Sequence, residues 1–219
     1  MWKRAPSFFD LVAYTGNSPA SGRAVSHNLG VVPEMIWVKN RNGASGGNRP
    51  WIVYHKDTGN TGYLKLNQTD ALITTDPESK FGNGTVAVSP TASDFTVAGD
   101  YEVNFSGDTY IAYLFASLDG VSKVGSFSYT YPSDLSVDCG FTSGPRFLMI
   151  KKTSATGGWF VIDTERGFTS GDDPFLYLDA ASGQNTSWDI ADITPTGSGF
   201  IIPSNGLLGS GDYIFYAIA

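Results

Sequence analysis

One cysteine, Cys139, stands in 219 residues. No disulfide can close within the chain, so its stability has to come from packing. Histidine is almost as scarce, with only His27 and His55. A cysteine nucleophile would need one of them as its base, and a zinc site would need three or four ligands, so both chemistries have few residues to draw on. The plainer expectation for Cys139 is a small buried apolar side chain. Charge is sparse too: charged residues are 16% of the chain, with 14 basic against 21 acidic side chains and a net charge of −7. Its longest basic group is Lys3-Arg4. Phosphate backbones and anionic lipid surfaces require clustered Lys and Arg, so nucleic acid and membrane surfaces are not expected partners. No apolar run reaches membrane-spanning length, and no hydrophobic signal core follows Lys3-Arg4. On this reading the chain brings no secretion signal of its own.

What the chain does contain is glycine (26) and aromatics (14 Phe, 11 Tyr, 5 Trp). Together with abundant Ser, Thr and Asn, that is the composition of an extracellular or virion β-protein. The arrangement is also repeated. Pro33-Glu34-Met35-Ile36-Trp37-Val38-Lys39, Trp51-Ile52-Val53-Tyr54 and Tyr63-Leu64-Lys65-Leu66 are answered by Pro145-Arg146-Phe147-Leu148-Met149-Ile150-Lys151, Trp159-Phe160-Val161-Ile162 and Phe175-Leu176-Tyr177-Leu178. Each half closes on a Ser-Gly-Asp turn and an aromatic strand, from Ser106 and from Ser210. The period of about 105 to 115 residues is too long for a solenoid or a propeller blade and fits one small β-domain.

Short β-branched and aromatic segments predict the strands. In the first half they run from Phe8 to Tyr14, Glu34 to Val38, Trp51 to Tyr54, Tyr63 to Leu66, Phe95 to Val97 and Tyr110 to Phe115. In the second they run from Val124 to Tyr131, Phe147 to Ile150, Trp159 to Ile162, Phe175 to Leu178, Phe200 to Ile202 and Tyr213 to Ile218. Turn dipeptides such as Asn42-Gly43, Asn83-Gly84, Asp119-Gly120 and Asn205-Gly206 separate them. The expectation is an all-β chain of two tandem, similar β-sandwich halves with jelly-roll or Greek-key connections, packed together. The first spans residues 1–117 with an amino-terminal arm, a connector covers 118–123, and the second spans 124–219. The stretch from Asn67 to Ser93 reads as a long, mobile polar excursion.

Candidate chemistry is thin. His27 precedes Leu29-Gly30 at a turn, where it is expected to bond backbone groups across the turn. Alternation with Tyr54 puts His55 on a polar face. Asp163 with Glu165, or Asp172 with Asp173, suggests a carboxylate pair, but hydrolysis needs two carboxylates facing each other across a cleft. Gly171-Asp172-Asp173-Pro174 reads first as a turn, with calcium as the alternative. No metal and no cofactor are expected. Trp51 and Trp159 occupy matching places and read as core anchors. Trp37 and Trp188 have no counterpart and are candidates for stacking on a sugar, with Asn42, Arg49 and Asn83 as polar neighbours. Trp2, in the arm, is a candidate contact to another subunit.

Trp2-Lys3-Arg4-Ala5-Pro6-Ser7-Phe8-Phe9-Asp10, the stretch from Val25 to Lys39 with its Ser26-His27-Asn28-Leu29-Gly30-Val31-Val32-Pro33 phrase, Trp51 to Lys56, and Ser106 to Ala116 together resemble a family of bacteriophage virion domains found at the ends of tail-fibre-like proteins of marine phages. The likeness runs on through the second repeat to Ala219. It implies a non-enzymatic virion protein of the host-attachment, receptor-binding type. The implied partners are other virion proteins, a homo-oligomer (a trimer by analogy with fibre tips) and a host-surface glycan. No catalytic residues come with it. Members of that family sit at the ends of longer chains, whereas this sequence opens at Met1, which raises a capsid- or tail-decorating cement protein as the alternative. A polysaccharide-degrading enzyme is the third possibility. In the second repeat Val137-Asp138-Cys139-Gly140 stands where the first has Ser26-His27-Asn28, so any role of His27 is not duplicated.

Overall fold

The computed structural model describes residues 4–19, 21–42, 49–169, 173–185, 193–204 and 208–219. Among these residues there is no α-helix, only strands, turns and a single 3-10 turn at Pro77–Ser79. The all-β class follows directly from the short β-branched and aromatic runs: with few long helix-forming stretches, extended segments are what can bury those side chains. The chain divides into two compact units, Met1–Ala116 and Ser117–Ala219.

The first unit contains β1 (Phe9–Thr15), β2 (Arg23–Ser26), β3 (Met35–Asn40), β4 (Ile52–His55), β5 (Gly59–Lys65), β6 (Asp94–Val97) and β7 (Thr109–Phe115). Its main sheet has the order β1-β7-β3-β4-β5, with antiparallel pairing throughout, and β2 pairs with β6 in a second, two-stranded sheet. Alternation sends Ile36, Val38, Tyr110, Ala112 and Leu114 to one face of the main sheet, where they pack with Val25, Phe95 and Val97 of the small sheet. Each Ile, Val, Leu or Phe among them contributes roughly 1.5–3 kcal/mol by leaving water.

The second unit contains β8 (Ser122–Tyr129), β9 (Leu135–Asp138), β10 (Phe147–Lys152), β11 (Trp159–Asp163), β12 (Leu176–Tyr177), β13 (Thr194–Pro195), β14 (Gly199–Ile202) and β15 (Gly211–Ile218). Its main sheet has the order β8-β15-β10-β11-β12, beside a smaller sheet β9-β14-β13. Taken in chain order, these are the same neighbours as in the first unit, with β13 added. The registers also agree: Met35 opposes Phe115 and Asn40 opposes Tyr110, as Phe147 opposes Ile218 and Lys152 opposes Tyr213. Tyr14 stacks on Tyr110 at 5.2 Å and 15°, and Phe127 stacks on Tyr213 at 5.1 Å and 11°. An amide or carboxylate oxygen caps the strand entry in each unit, Asn67 Oδ1 accepting from the Trp51 backbone N–H (2.9 Å) and Asp179 Oδ1 from that of Trp159 (2.6 Å). The residues 118–123 read as a connector make a tight turn, Leu118 to Ser122, and the start of β8, all within the second unit.

The excursion from Asn67 to Ser93 is tied to the first unit at several points. Ile73 bridges Tyr63, Phe81 is buried in the core, and the Lys80 ammonium lies 2.8 Å from Asp100 and 2.6 Å from Glu102. A polar sequence hid one aromatic anchor and one ion cluster, which are enough to hold it.

Candidate functional site

In the second unit, the end of the core where the β10–β11 hairpin meets the segment before β15 is open. A cavity of about 190 Å³ lies there, lined by Lys152, Thr156, Gly157, Phe160, Leu208, Gly209 and Tyr213. Register explains the gathering. Lys152 and Tyr213 are directly opposed across β10 and β15, so both side chains stand on the core face, as does Phe160 on β11. The Lys152 ammonium sits 5.6 Å from the Tyr213 ring centre and donates to the Ser210 carbonyl at 2.8 Å. The Tyr213 hydroxyl donates to Gly209 O at 2.6 Å, and burial, with the nearby Tyr129, pushes the phenol up to about 12. It is a neutral aromatic wall, not an acid or base at physiological pH. Behind Gly157, the buried Lys151 ammonium donates to the Gly157 carbonyl and lies 5.9 Å from the Trp159 ring.

At the same end of the first unit the described side chains bond one another. Asn40 stands at the register position of Lys152, and its amide donates to the Asp108 carboxylate at 2.7 Å, to the Tyr101 carbonyl at 3.2 Å and to the Tyr110 hydroxyl at 3.3 Å. Tyr110 in turn donates to Tyr101 O at 2.9 Å. Outside this network Tyr101, 46% exposed, stacks on Phe105 at 4.3 Å, and the Arg49 guanidinium lies 5.1 Å from the Tyr101 ring centre.

The structure therefore brings together some of the residues singled out from the sequence and separates others. Arg49 joins Tyr101. Asn42 is exposed at the same end and accepts from the Thr109 N–H at 2.9 Å. Asn83 lies in a different turn, where its Oδ1 accepts from the Thr85 and Val86 N–H groups. Trp37 is half-buried on β3 between rings, 4.6 Å from Phe115 and 6.4 Å from Tyr113, so its faces are packed against its own sheet. Trp2, Trp188 and Asp172 lie outside the described residues. Sequence reasoning missed Lys152, Phe160 and Tyr213 because each reads simply as a strand residue. The available signal was the exchange of Asn40 for Lys152 between otherwise matching strands.

The groups considered for chemistry are engaged elsewhere. Cys139 is buried in the core of the second unit, and desolvation pushes its thiol up to about 12, far from a thiolate nucleophile. His27 accepts from the Leu29 N–H at Nδ1 within its turn and meets Thr91 O, 64 residues away, through Nε2, both at 3.2 Å, which ties the turn to a distant backbone segment. His55 is fully buried, not on a polar face. Alternation does turn it away from Tyr54, but that face of the sheet is covered as well: His55 opposes Met35, which is buried like Phe115 beyond it, and its Nδ1 accepts from the Asp57 N–H. Asp163 pairs with Arg166 and accepts its N–H, closing a turn. Asp173 is buried and accepts from the Thr169 N–H at 2.9 Å. Among the described residues no three His, Cys, Asp or Glu side chains converge as a metal-binding group.

Fold and pocket thus define an all-β protein of two like-ordered units, one of which carries an open cation-aromatic pocket. The family described as a domain of unknown function (DUF7483) matches residues 4–219, and the chain belongs to it. That one family spans both units. No curated protein and no solved structure matches the chain.

Proposed function

We propose that this chain is a non-enzymatic surface protein of a bacteriophage virion, of the tail-fibre, receptor-binding type, that contributes to host attachment. The observation that carries the reading is the resemblance of the Ser26 to Lys39 stretch, the Trp51 to Lys56 strand and the closing strands to phage fibre-end domains. The geometry supports binding over chemistry. The cysteine is buried as a thiol, His27 clasps backbone, Asp163 and Asp173 hold turns, and Arg49 meets the exposed Tyr101 ring at a loop end. Shallow contacts of this kind are weak singly, and many copies on one particle raise the overall affinity, which suits a homo-oligomeric fibre tip assembled with other virion proteins.

Immunogold labelling of intact particles tests it. Label at the tail or fibre tip is the expected result. Label spread over the capsid or tail shaft overturns attachment in favour of a decorating role, and particles without label overturn the virion reading altogether.

A further inference from the structure

We propose that the end pocket of the second unit binds an anionic sugar ring, a pyranose carrying a carboxylate of the uronic-acid kind. The inference rests on the attachment reading for its biological setting and names the class of receptor glycan.

Three features of the pocket point to this ligand. Its volume of about 190 Å³ is too small for the roughly 300–1,000 Å³ of a drug-sized ligand site and suits a single ring. Half-buried Phe160 lines it with an apolar ring for the C–H side of a pyranose, while Tyr213, stacked on Phe127 and covered by Lys152, backs the wall. Lys152 provides the charge. Its ammonium has three N–H donors and uses one on Ser210 O, and it makes no ion pair with a carboxylate among the described residues. The adjacent Asp212 does not neutralise it. Alternation along β15 turns that carboxylate to the face opposite Tyr213, where it accepts from the Ser128 hydroxyl at 2.6 Å.

The first unit shows what such a pocket is built to hold. There Asn40 faces the carboxylate of Asp108, two residues before Tyr110. Two residues before Tyr213 the second unit has Gly211, so the internal carboxylate is missing and Lys152 has replaced the amide. The replacement is close-fitting: a Cβ on Gly211 would lie 2.7 Å from Lys152 Cε and 2.4 Å from Ser154 Oγ. Where the first unit supplies its own carboxylate, the second presents an ammonium and an opening, and a ligand carboxylate completes the pair. Charge-assisted hydrogen bonds of this kind are roughly twice as strong as neutral ones, and the apolar surface of Phe160 makes a sugar ring a better fit than a bare anion.

The test is a titration of the full chain followed by backbone amide NMR, with glucuronate, glucose and inorganic phosphate as separate probes. The expected result is that glucuronate shifts the amides of Gly157, Phe160 and Gly209, while glucose and phosphate bind about tenfold more weakly or less. Lys152→Gln is expected to lower glucuronate affinity about tenfold with an unchanged melting curve. Gly209→Ala, whose methyl would lie 3.7 Å from Lys152 Nζ, is expected to weaken binding without altering charge. Equal binding of glucose, equal binding of phosphate, shifts that ignore Lys152→Gln, or no shifts at all overturn the proposal. The titration uses purified protein and is independent of particle labelling, so a silent pocket on a tip-labelled particle and a working pocket in an unlabelled protein refute different statements.

Discussion

Replacing Lys80 by methionine should loosen the first unit in a measurable and local way. The Lys80 side chain is only 8% exposed, its ammonium lies between the carboxylates of Asp100 and Glu102, and it faces the Tyr63 ring at 5.5 Å. Burial alone disfavours the charged amine. The hydrogen bonds and charges of Asp100 and Glu102 together outweigh burial, and the pKa ends above the ordinary 10.5. Breaking a fully buried pair by removing one partner costs about 3–5 kcal/mol. Here the two carboxylates keep 26% and 17% exposure, so water recovers part of that, and the expected loss is about 2–3 kcal/mol. For a unit of this size that lowers the melting temperature by roughly 8–12 °C. The local signature is faster amide exchange at Ala98, which donates to Lys80 O, and at Ile73, which is paired with Tyr63. The triple variant Lys80→Met with Asp100→Asn and Glu102→Gln should regain much of the loss, because no uncompensated charge is left. Since the folded pKa lies above the unfolded value, the contribution is fully present below about pH 10.5 and is lost as pH rises through the folded pKa. Urea titration of the variants at neutral and alkaline pH measures the free energies, thermal unfolding the melting shift and hydrogen exchange the local signature. A single-variant loss under about 0.5 kcal/mol, the scale of an exposed pair, or a triple variant as weak as the single one, refutes the reasoning.

Gly199→Ala would set a Cβ 2.0 Å from Val137 O and is expected to cost about 2–3 kcal/mol by urea unfolding, while Gly183→Ala, with open space around it, should be near neutral. The Cys139 thiol, raised from 9.0 to about 12 by burial, should react with a disulfide reagent at mildly alkaline pH only as fast as the second unit opens. Its neutral form contributes stability below about pH 9 that fades as pH rises toward 12, and Cys139→Ala should remove that part of the alkaline decline.

The strand inventory was legible because aromatic and β-branched runs can bury themselves only as extended segments in this composition, and the repeat of those runs shows in the like strand orders of the two units. Short strands escaped: Arg23–Ser26 and Leu135–Asp138 are too brief and too polar to stand out, and they become strands only because β6 and β14 offer them partners. Individual side chains were harder still. Alternation put His55 on a polar face, but both faces of β4 are buried, with Met35 directly opposite His55. Trp37 read as an open stacking surface until Phe115 and Tyr113 closed on it. By itself the sequence determined the β class and the buried thiol, since these depend on local pattern and composition. Only the tertiary structure decided which side chains meet at the end of each unit. That depends on cross-strand register, which sets Lys152 against Tyr213 with a glycine where the other unit has Asp108, a relation between residues far apart in the chain.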